Sequence, residues 1–211
     1  AKESGIVFFT DAVQAAGALP IHVKSPAVDM LSFSAHKFYG PKGIGVLYVR
    51  SGLKIGKIIT GGHQERGMRG GTTNVPAIVG MAEALRLSQE KLGENAAYVA
   101  SLRDRFISRV SKEIPCVKLN GHPTDRLPAN ANFSFRYIEG ESLLFSLDLA
   151  GIAVSSGSAC SSGSLEPSHV LLAMGVPEGL AHGSIRFSFG IHNTLEQIDY
   201  AVDKLKELSL I

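Results

Sequence analysis

With 211 residues, 45% of them apolar, and a formal net charge of +2, the chain can bury one large core or two small ones. Its charge balance gives no electrostatic case for nucleic acid or a membrane surface, and no run approaches the roughly 18 apolar residues of a spanning helix. Two cysteines and no basic–apolar–small leader at the start argue against a disulfide-built secreted domain, so the expected compartment is the cytoplasm.

In chain order, Ala1-Lys-Glu-Ser-Gly5 reads as a helix tail closed by a C-cap glycine that feeds into the apolar run Ile6-Val-Phe-Phe9. That is the middle of an α/β unit, which leads to the expectation of the C-terminal part of a longer polypeptide, or one piece of a split one. Three runs, Ile6 to Thr10, Met30 to Ser34 and Ile44 to Val49, lack strict alternation, as do strands covered on both faces. From Pro76 the period turns helical: Ile78, Val79, Ala82, Leu85 and Leu92 form one face, and a second helix from Ala96 to Val110 turns Val99, Leu102, Phe106 and Val110 inward. Asn132 to Tyr137 and Ser184 to Phe189 alternate polar with apolar, predicting half-exposed strands of a smaller sheet with helices on one side. Short helices fit Ser142 to Ala150 and Ser168 to Met174, and a last one opens on a capping box of Thr194 and Gln197 with Ile198, Ala201, Val202 and Leu205 on one face.

Three places carry chemistry. The decapeptide Ser155-Ser-Gly-Ser-Ala-Cys160-Ser-Ser-Gly-Ser164 surrounds a thiol with residues too small to bury it and with hydroxyls able to stabilise a thiolate. Taken alone, the loop is as consistent with a free cysteine of no role as with a reactive one. Lys37 falls just past the end of the run Met30 to Ser34, where ligands of open α/β sheets gather, with Ser34 and His36 beside it. It is placed to form a Schiff base, or is simply a solvated turn lysine. Asp11 ends another strand, with Gln14 three residues on. A carboxylate at a strand mouth near a lysine is the pairing pyridoxal phosphate needs, while the alternative for Asp11 is a helix N-cap. Cys116, between Pro115 and Val117, is assigned to packing. His63 receives no role, while Arg66 and Arg69 form either a basic surface patch or interface contacts; His122, His169, His182 and His192 lack metal-ligand spacing, so no metal is expected. Gly40-Pro-Lys-Gly-Ile-Gly45 lacks the Ser/Thr of a P-loop.

Five motifs in order, Asp11-Ala-Val-Gln14, Ser32-Phe-Ser-Ala-His-Lys37-Phe-Tyr-Gly-Pro-Lys-Gly-Ile-Gly45, Gln64-Glu-Arg-Gly-Met-Arg-Gly-Gly-Thr72, Ser155-Ser-Gly-Ser-Ala-Cys160 and Ser184-Ile-Arg186, resemble the pyridoxal-phosphate cysteine desulfurases. The cysteine loop and the Glu-Arg-Gly-Met-Arg segment are similar to the branch that supplies sulfur for iron–sulfur clusters and tRNA thiolation. The resemblance implies the α/β, aspartate-aminotransferase-like fold (fold type I). Residues 1–95 would be the C-terminal part of the cofactor-binding large domain, and residues 96–211 the small C-terminal α/β domain with the cysteine loop.

It also implies roles. Lys37 would carry the cofactor and shuttle protons, Asp11 and Gln14 would hold the ring, and Ser34, His36 and Thr72 would bind phosphate. Thr72 in this family serves the neighbouring subunit's site, which implies a homodimer. Arg186, otherwise an outward strand arginine, would grip the carboxylate of L-cysteine, and Cys160 would accept sulfur as a persulfide for an acceptor or iron–sulfur scaffold protein. The N-terminal portion of family chains, with its ring-stacking histidine, second phosphate-binding turn and asparagine, has no counterpart here, so a separate N-terminal polypeptide is an expected partner. The alternatives are a related selenocysteine lyase or aminotransferase, and an inactive fragment acting in dimerisation or partner binding.

Overall fold

In the computed structural model, which describes residues 1–24, 28–156 and 166–209, the chain divides into two units, Ala1–Gly93 and Glu94–Ile211. The first opens with the 3-10 turn Lys2–Ser4, closed by Gly5 in the left-handed conformation, as expected of a helix tail. The apolar runs then become strands β1 (Phe9–Asp11), β2 (Met30–Ser34) and β3 (Gly45–Val49), in the order β1-β2-β3. β1 runs parallel to β2 and β2 antiparallel to β3. The expected double cover is not found: Ile6 is 61% exposed and Phe9 51%, with Val7, Phe8 and Leu47 also exposed. This unit supplies one long helix, α1 (Val75–Glu90), whose contacts are with the turn that follows β2. A single helix cannot sheathe a sheet on both sides.

The predicted face of α1 is also corrected. Ala77, Met81 and Ser88 are its buried positions, while Val79 and Ala82 are exposed. The helix is apolar on two sides, so periodicity alone cannot choose which side meets the core. Ala16, Ala35, Phe38 and Met81 form that core, with Phe33, Ile44, Val46, Ala84 and Leu85 packed around them.

The second unit follows its sequence pattern more closely. α2 (Leu92–Glu113) starts earlier and ends later than expected but buries Val99, Leu102, Phe106 and Val110 as predicted. β4 (Val117–Leu119), β5 (Asn130–Phe135) and β6 (Ser184–Ser188) form an antiparallel sheet in that order. α3 (Gly140–Leu149), α4 (His169–Ala173), the unanticipated short α5 (Glu178–His182) and α6 (Leu195–Ser209) complete it. The capping box of α6 closes reciprocally: Gln197 N–H donates to Thr194 Oγ1 at 3.3 Å and Thr194 N–H to Gln197 Oε1 at 3.2 Å.

Alternation decides how this sheet packs. Ala131, Phe133 and Phe135 of β5 and Ile185 and Phe187 of β6 join Leu102, Phe106 and Val110 of α2, Leu143 and Leu147 of α3, and Ile198, Val202 and Leu205 of α6 in one core. Phe106 sits at its centre, its ring 4.5 Å from that of Phe187 and within 6.2 Å of those of Phe133 and Phe189. The residues between, Asn130, Asn132 and Ser134 on β5 and Ser184, Arg186 and Ser188 on β6, therefore occupy the opposite, polar face.

Cys116 is another correction. It is exposed and its φ of 58° puts it in the left-handed region, with its carbonyl accepting from Arg136 N–H at 3.0 Å. It turns the chain from α2 into β4 and its thiol packs into no core. The sequence cue, a thiol between Pro and Val, carries no information about that turn.

Truncating the central ring, Phe106→Ala, is expected to destabilise this unit by about 3–5 kcal/mol in denaturant unfolding. A second expectation concerns acid. Arg105 hydrogen bonds hold the Asp199 carboxyl down to about 2, with Arg109 assisting. A folded pKa below the unfolded value of about 3.9 gives stability that is present above that value and lost as pH falls toward the folded one. Asp199→Asn should therefore flatten the fall in stability between about pH 4 and 2, followed by thermal melts across that range.

Candidate active site

Parallel pairing of β1 with β2 brings their C-terminal ends to one edge of the first sheet. Asp11 is aligned with Ser32, Ala12 N–H donates to Ser32 C=O at 2.8 Å, and Ser34 lies two residues further on. The chain then enters the 3-10 turn Ala35–Phe38, with Ala35 N–H bonded to Ile44 C=O at 3.1 Å. Ala35 and Phe38 point into the core, and His36 and Lys37 between them are exposed. Phe38 anchors the turn: it meets Phe33 edge-on at 5.8 Å, and Gly17 (φ 77°) passes so close that a Cβ there would lie 2.5 Å from Phe38 Cβ. Tyr39 leaves the turn with φ 66°, a conformation costing a non-glycine residue about 1–2 kcal/mol.

Both alternatives for Asp11 prove compatible. Its Oδ1 accepts from Val13 N–H at 2.9 Å, as an N-cap would, though the residues that follow form turns and no helix. Its other oxygen makes no hydrogen bond among the described residues. Gln14 is exposed on the same turn, and Ser34 caps the 3-10 turn with backbone only, its hydroxyl making no capping bond. An amine, a carboxylate, a hydroxyl and an imidazole thus share one edge of the sheet. That donor set fits pyridoxal phosphate, with its aldehyde, ring nitrogen and phosphate. Thr72 is exposed in the loop before α1, two residues ahead of the N-cap Asn74, and among the described residues no hydrogen bond joins it to this edge.

In the second unit Arg186 lies on the polar face of β6. Its Nε is buried and has no hydrogen-bond partner among the described residues. A guanidinium N–H withdrawn from water without an acceptor is costly unless a ligand completes it. On its outer side Arg186 pairs with Ser155 through two backbone bonds, Arg186 N–H to Ser155 C=O at 2.6 Å and Ser155 N–H to Arg186 C=O at 3.2 Å. The segment carrying Cys160 therefore starts against Arg186. Cys160 itself lies outside the described residues, and five residues of chain span at most about 18 Å.

On the inner side of Arg186 is a polar group that the sequence motifs passed over. Asn132, aligned with Arg186 across β5 and β6, receives Asn120 Nδ2 on its Oδ1 at 2.6 Å. Asn120 Nδ2 also donates to Ser134 Oγ at 2.8 Å, and Ser134 Oγ lies 2.7 Å from Ser184 Oγ. Alternation of Asn130, Asn132 and Ser134 with Ala131, Phe133 and Phe135 was the available signal, since it places the three polar residues on the face that carries Arg186.

The family model for Aminotransferase class-V matches residues 1–201. The chain belongs to the class-V aminotransferase family. Among curated proteins it is 54% identical over 208 residues to a cysteine desulfurase IscS of Dictyoglomus turgidum, covering 99% of this chain and 53% of that protein. Among solved structures it is similar to a NifS-like protein, with TM-score 0.88, 39% identity and coverage of 100% of this chain and 54% of the other. It is also similar to SspA in complex with cysteine, with TM-score 0.70, 33% identity and coverage of 92% and 53%. The α/β fold is thus that of the NifS-like, fold type I proteins, and the chain spans about half the length of the relatives it matches.

The anchoring of Lys37 is open to test. Phe38→Ala should destabilise the first unit by about 3–5 kcal/mol and speed amide exchange across Ala35 to Gly40, read by hydrogen–deuterium exchange.

Proposed function

We propose that the chain carries the lysine, the substrate arginine and the sulfur-accepting cysteine of a pyridoxal-phosphate cysteine desulfurase. The observation that carries this reading is the pairing of Ser155 with Arg186, which starts the segment of Cys160 beside an arginine whose Nε is buried and has no partner among the described residues. The relatives named cysteine desulfurase, and the neighbour solved with cysteine, support L-cysteine as substrate.

When bound, pyridoxal phosphate supplies an electron sink at the carbons of the substrate. Lys37 would hold the cofactor through its amine and move protons at the substrate carbon. Asp11 and Gln14 would hold the ring, Asp11 keeping its nitrogen protonated, and Ser34, His36 and a partner subunit's copy of Thr72 would hold the phosphate. Arg186 orients the substrate by a two-pronged grip on its carboxylate. The Cys160 thiolate attacks the substrate sulfur: an S–S bond forms as the C–S bond breaks, the bonding pair stays with the carbon fragment, and that fragment leaves as L-alanine after taking up a proton. The persulfide on Cys160 then passes to an acceptor for iron–sulfur assembly or tRNA thiolation.

The exposed apolar residues Ile6 to Phe9 support a further part of this reading. They are covered by polypeptide corresponding to the other half of the relatives, which completes the cofactor site, and the working form is a homodimer in the cytoplasm.

With that polypeptide present, adding pyridoxal phosphate should produce the lysine-bound absorbance band, which Lys37→Ala removes. Cys160→Ala should keep the band while sulfide release from L-cysteine falls by roughly a thousandfold or more. A band that survives Lys37→Ala, or full sulfide release from Cys160→Ala, would sink the assignment.

A further inference from the structure

The polar network beside Arg186 has a direction, and the direction is set by an atom that can only accept. Ser184 Oγ donates to Leu180 C=O at 3.3 Å. A hydroxyl has one hydrogen, so at its contact with Ser134 Oγ, 2.7 Å away, Ser184 must accept and Ser134 must donate. Ser134 has then spent its own hydrogen and accepts from Asn120, which must present its NH2 group there, at 2.8 Å. The second hydrogen of that NH2 goes to Asn132 at 2.6 Å, and it must meet the carbonyl oxygen of Asn132. Amide orientations that ordinarily rest on assignment are fixed here by the chain of donors ending at a backbone carbonyl.

The outcome at the far end is the Nδ2 group of Asn132, which is turned away from Asn120 and donates no hydrogen bond among the described residues. Asn132 is half-buried and directly aligned with Arg186 on the same face of the sheet, where side chains of paired residues lie about 4.5–5.5 Å apart at Cβ. The Nε–H of Arg186 is buried and likewise unpartnered among the described residues. Two donors with no acceptor among the described residues, one charged and one neutral, therefore belong to directly paired residues on one face of the sheet. We propose that Asn132 is a second binding residue for the substrate carboxylate, donating from Nδ2 beside Arg186, and that Asn120 is the positioning residue that holds it in the donating orientation.

This rests on the reading of Arg186 as the carboxylate-binding residue and extends it. A planar carboxylate has two oxygens and about four acceptor sites, so a guanidinium can take one edge and an amide N–H the remaining lone pair. The occupant is an α-carboxylate of a small amino acid, and the network discriminates against thiol amines that lack it.

Two probes separate the carboxylate from the rest of the substrate: 3-mercaptopropionate, which has the carboxylate and thiol without the amine, and cysteamine, which has the amine and thiol without the carboxylate. They are titrated calorimetrically into the cofactor-loaded full-length protein. Asn132→Ala should weaken 3-mercaptopropionate by about tenfold, the worth of one hydrogen bond to a charged group, and leave cysteamine unchanged. The KM for L-cysteine should rise by the same factor with kcat little altered. Asn132→Asp, which sets a like charge against the carboxylate, should do more damage than Asn132→Ala, and Asn120→Ala less. Asn132→Ser, with the residue type the strand already carries at Ser134, serves if the alanine variant fails to fold. Unchanged 3-mercaptopropionate affinity in Asn132→Ala, or equal weakening of both probes, overturns the proposal. Arg186→Ala is the separate control. If it weakens 3-mercaptopropionate and Asn132→Ala does not, only the role of Asn132 fails; if neither variant does, the reading of Arg186 fails with it.

Discussion

The strict alternation of β5 and β6 is the constraint on which the second unit depends. Ala131, Phe133, Phe135, Ile185 and Phe187 go to the helices, so Asn132, Ser134, Ser184 and Arg186 must go the other way. A slip of one residue would bury a guanidinium among phenylalanines and expose the rings. The same burial that holds the core together therefore aims Arg186, and no separate device is needed to place it. Register does the rest: the alignment Asn120, Asn132, Arg186, Ser155 runs as one row across four segments of chain. The Arg186 guanidinium, its neighbouring amide and Ser155 are thereby fixed relative to one another by strand pairing.

The first unit solves the same problem differently. Lys37 cannot rely on a strand's alternation because it lies beyond the strand, in a four-residue turn. It is aimed by its neighbours: Ala35 and Phe38 are pulled into the core, Ser88 of α1 reaches Phe38 C=O, and the turn leaves through a strained Tyr39. Strain of this kind persists only where surrounding packing over-determines the conformation. The turn so fixed carries Lys37 between its two buried residues, Ala35 and Phe38.

How much of this was legible in the sequence follows from what each pattern encodes. Alternation in β5 and β6, the capping box at Thr194 and Gln197, and the inward face of α2 are local codes; the last two appear as read, and the alternation does too, except that β5 ends at Phe135 instead of Tyr137 and its polar face is buried, not half-exposed, at Ser134 and Ser184. The face of α1 was not legible because Val75, Val79 and Ala82 make a second apolar side, and only tertiary context selects between two such sides. The runs around β1 read correctly as apolar strand; what covers them is not encoded in the run itself. Cys116 was misread because a left-handed turn at a non-glycine residue has no compositional signature. The Asn120 to Ser184 network was not legible as a motif, because its members are scattered over three segments and only the sheet register assembles them.

The network also carries a cost that bears on what it is for. Its fixed polarity leaves Asn120 Oδ1 buried without a partner among the described residues, a penalty of about 1–3 kcal/mol. The reverse orientation would relieve that oxygen but would strand both hydrogens of the Asn120 amide and turn the Asn132 carbonyl outward. Beside Arg186 a carbonyl would satisfy the guanidinium internally, and the site would lose its two free donors. The orientation observed is the one that leaves this face short of acceptors among the described residues, which an anionic ligand would supply.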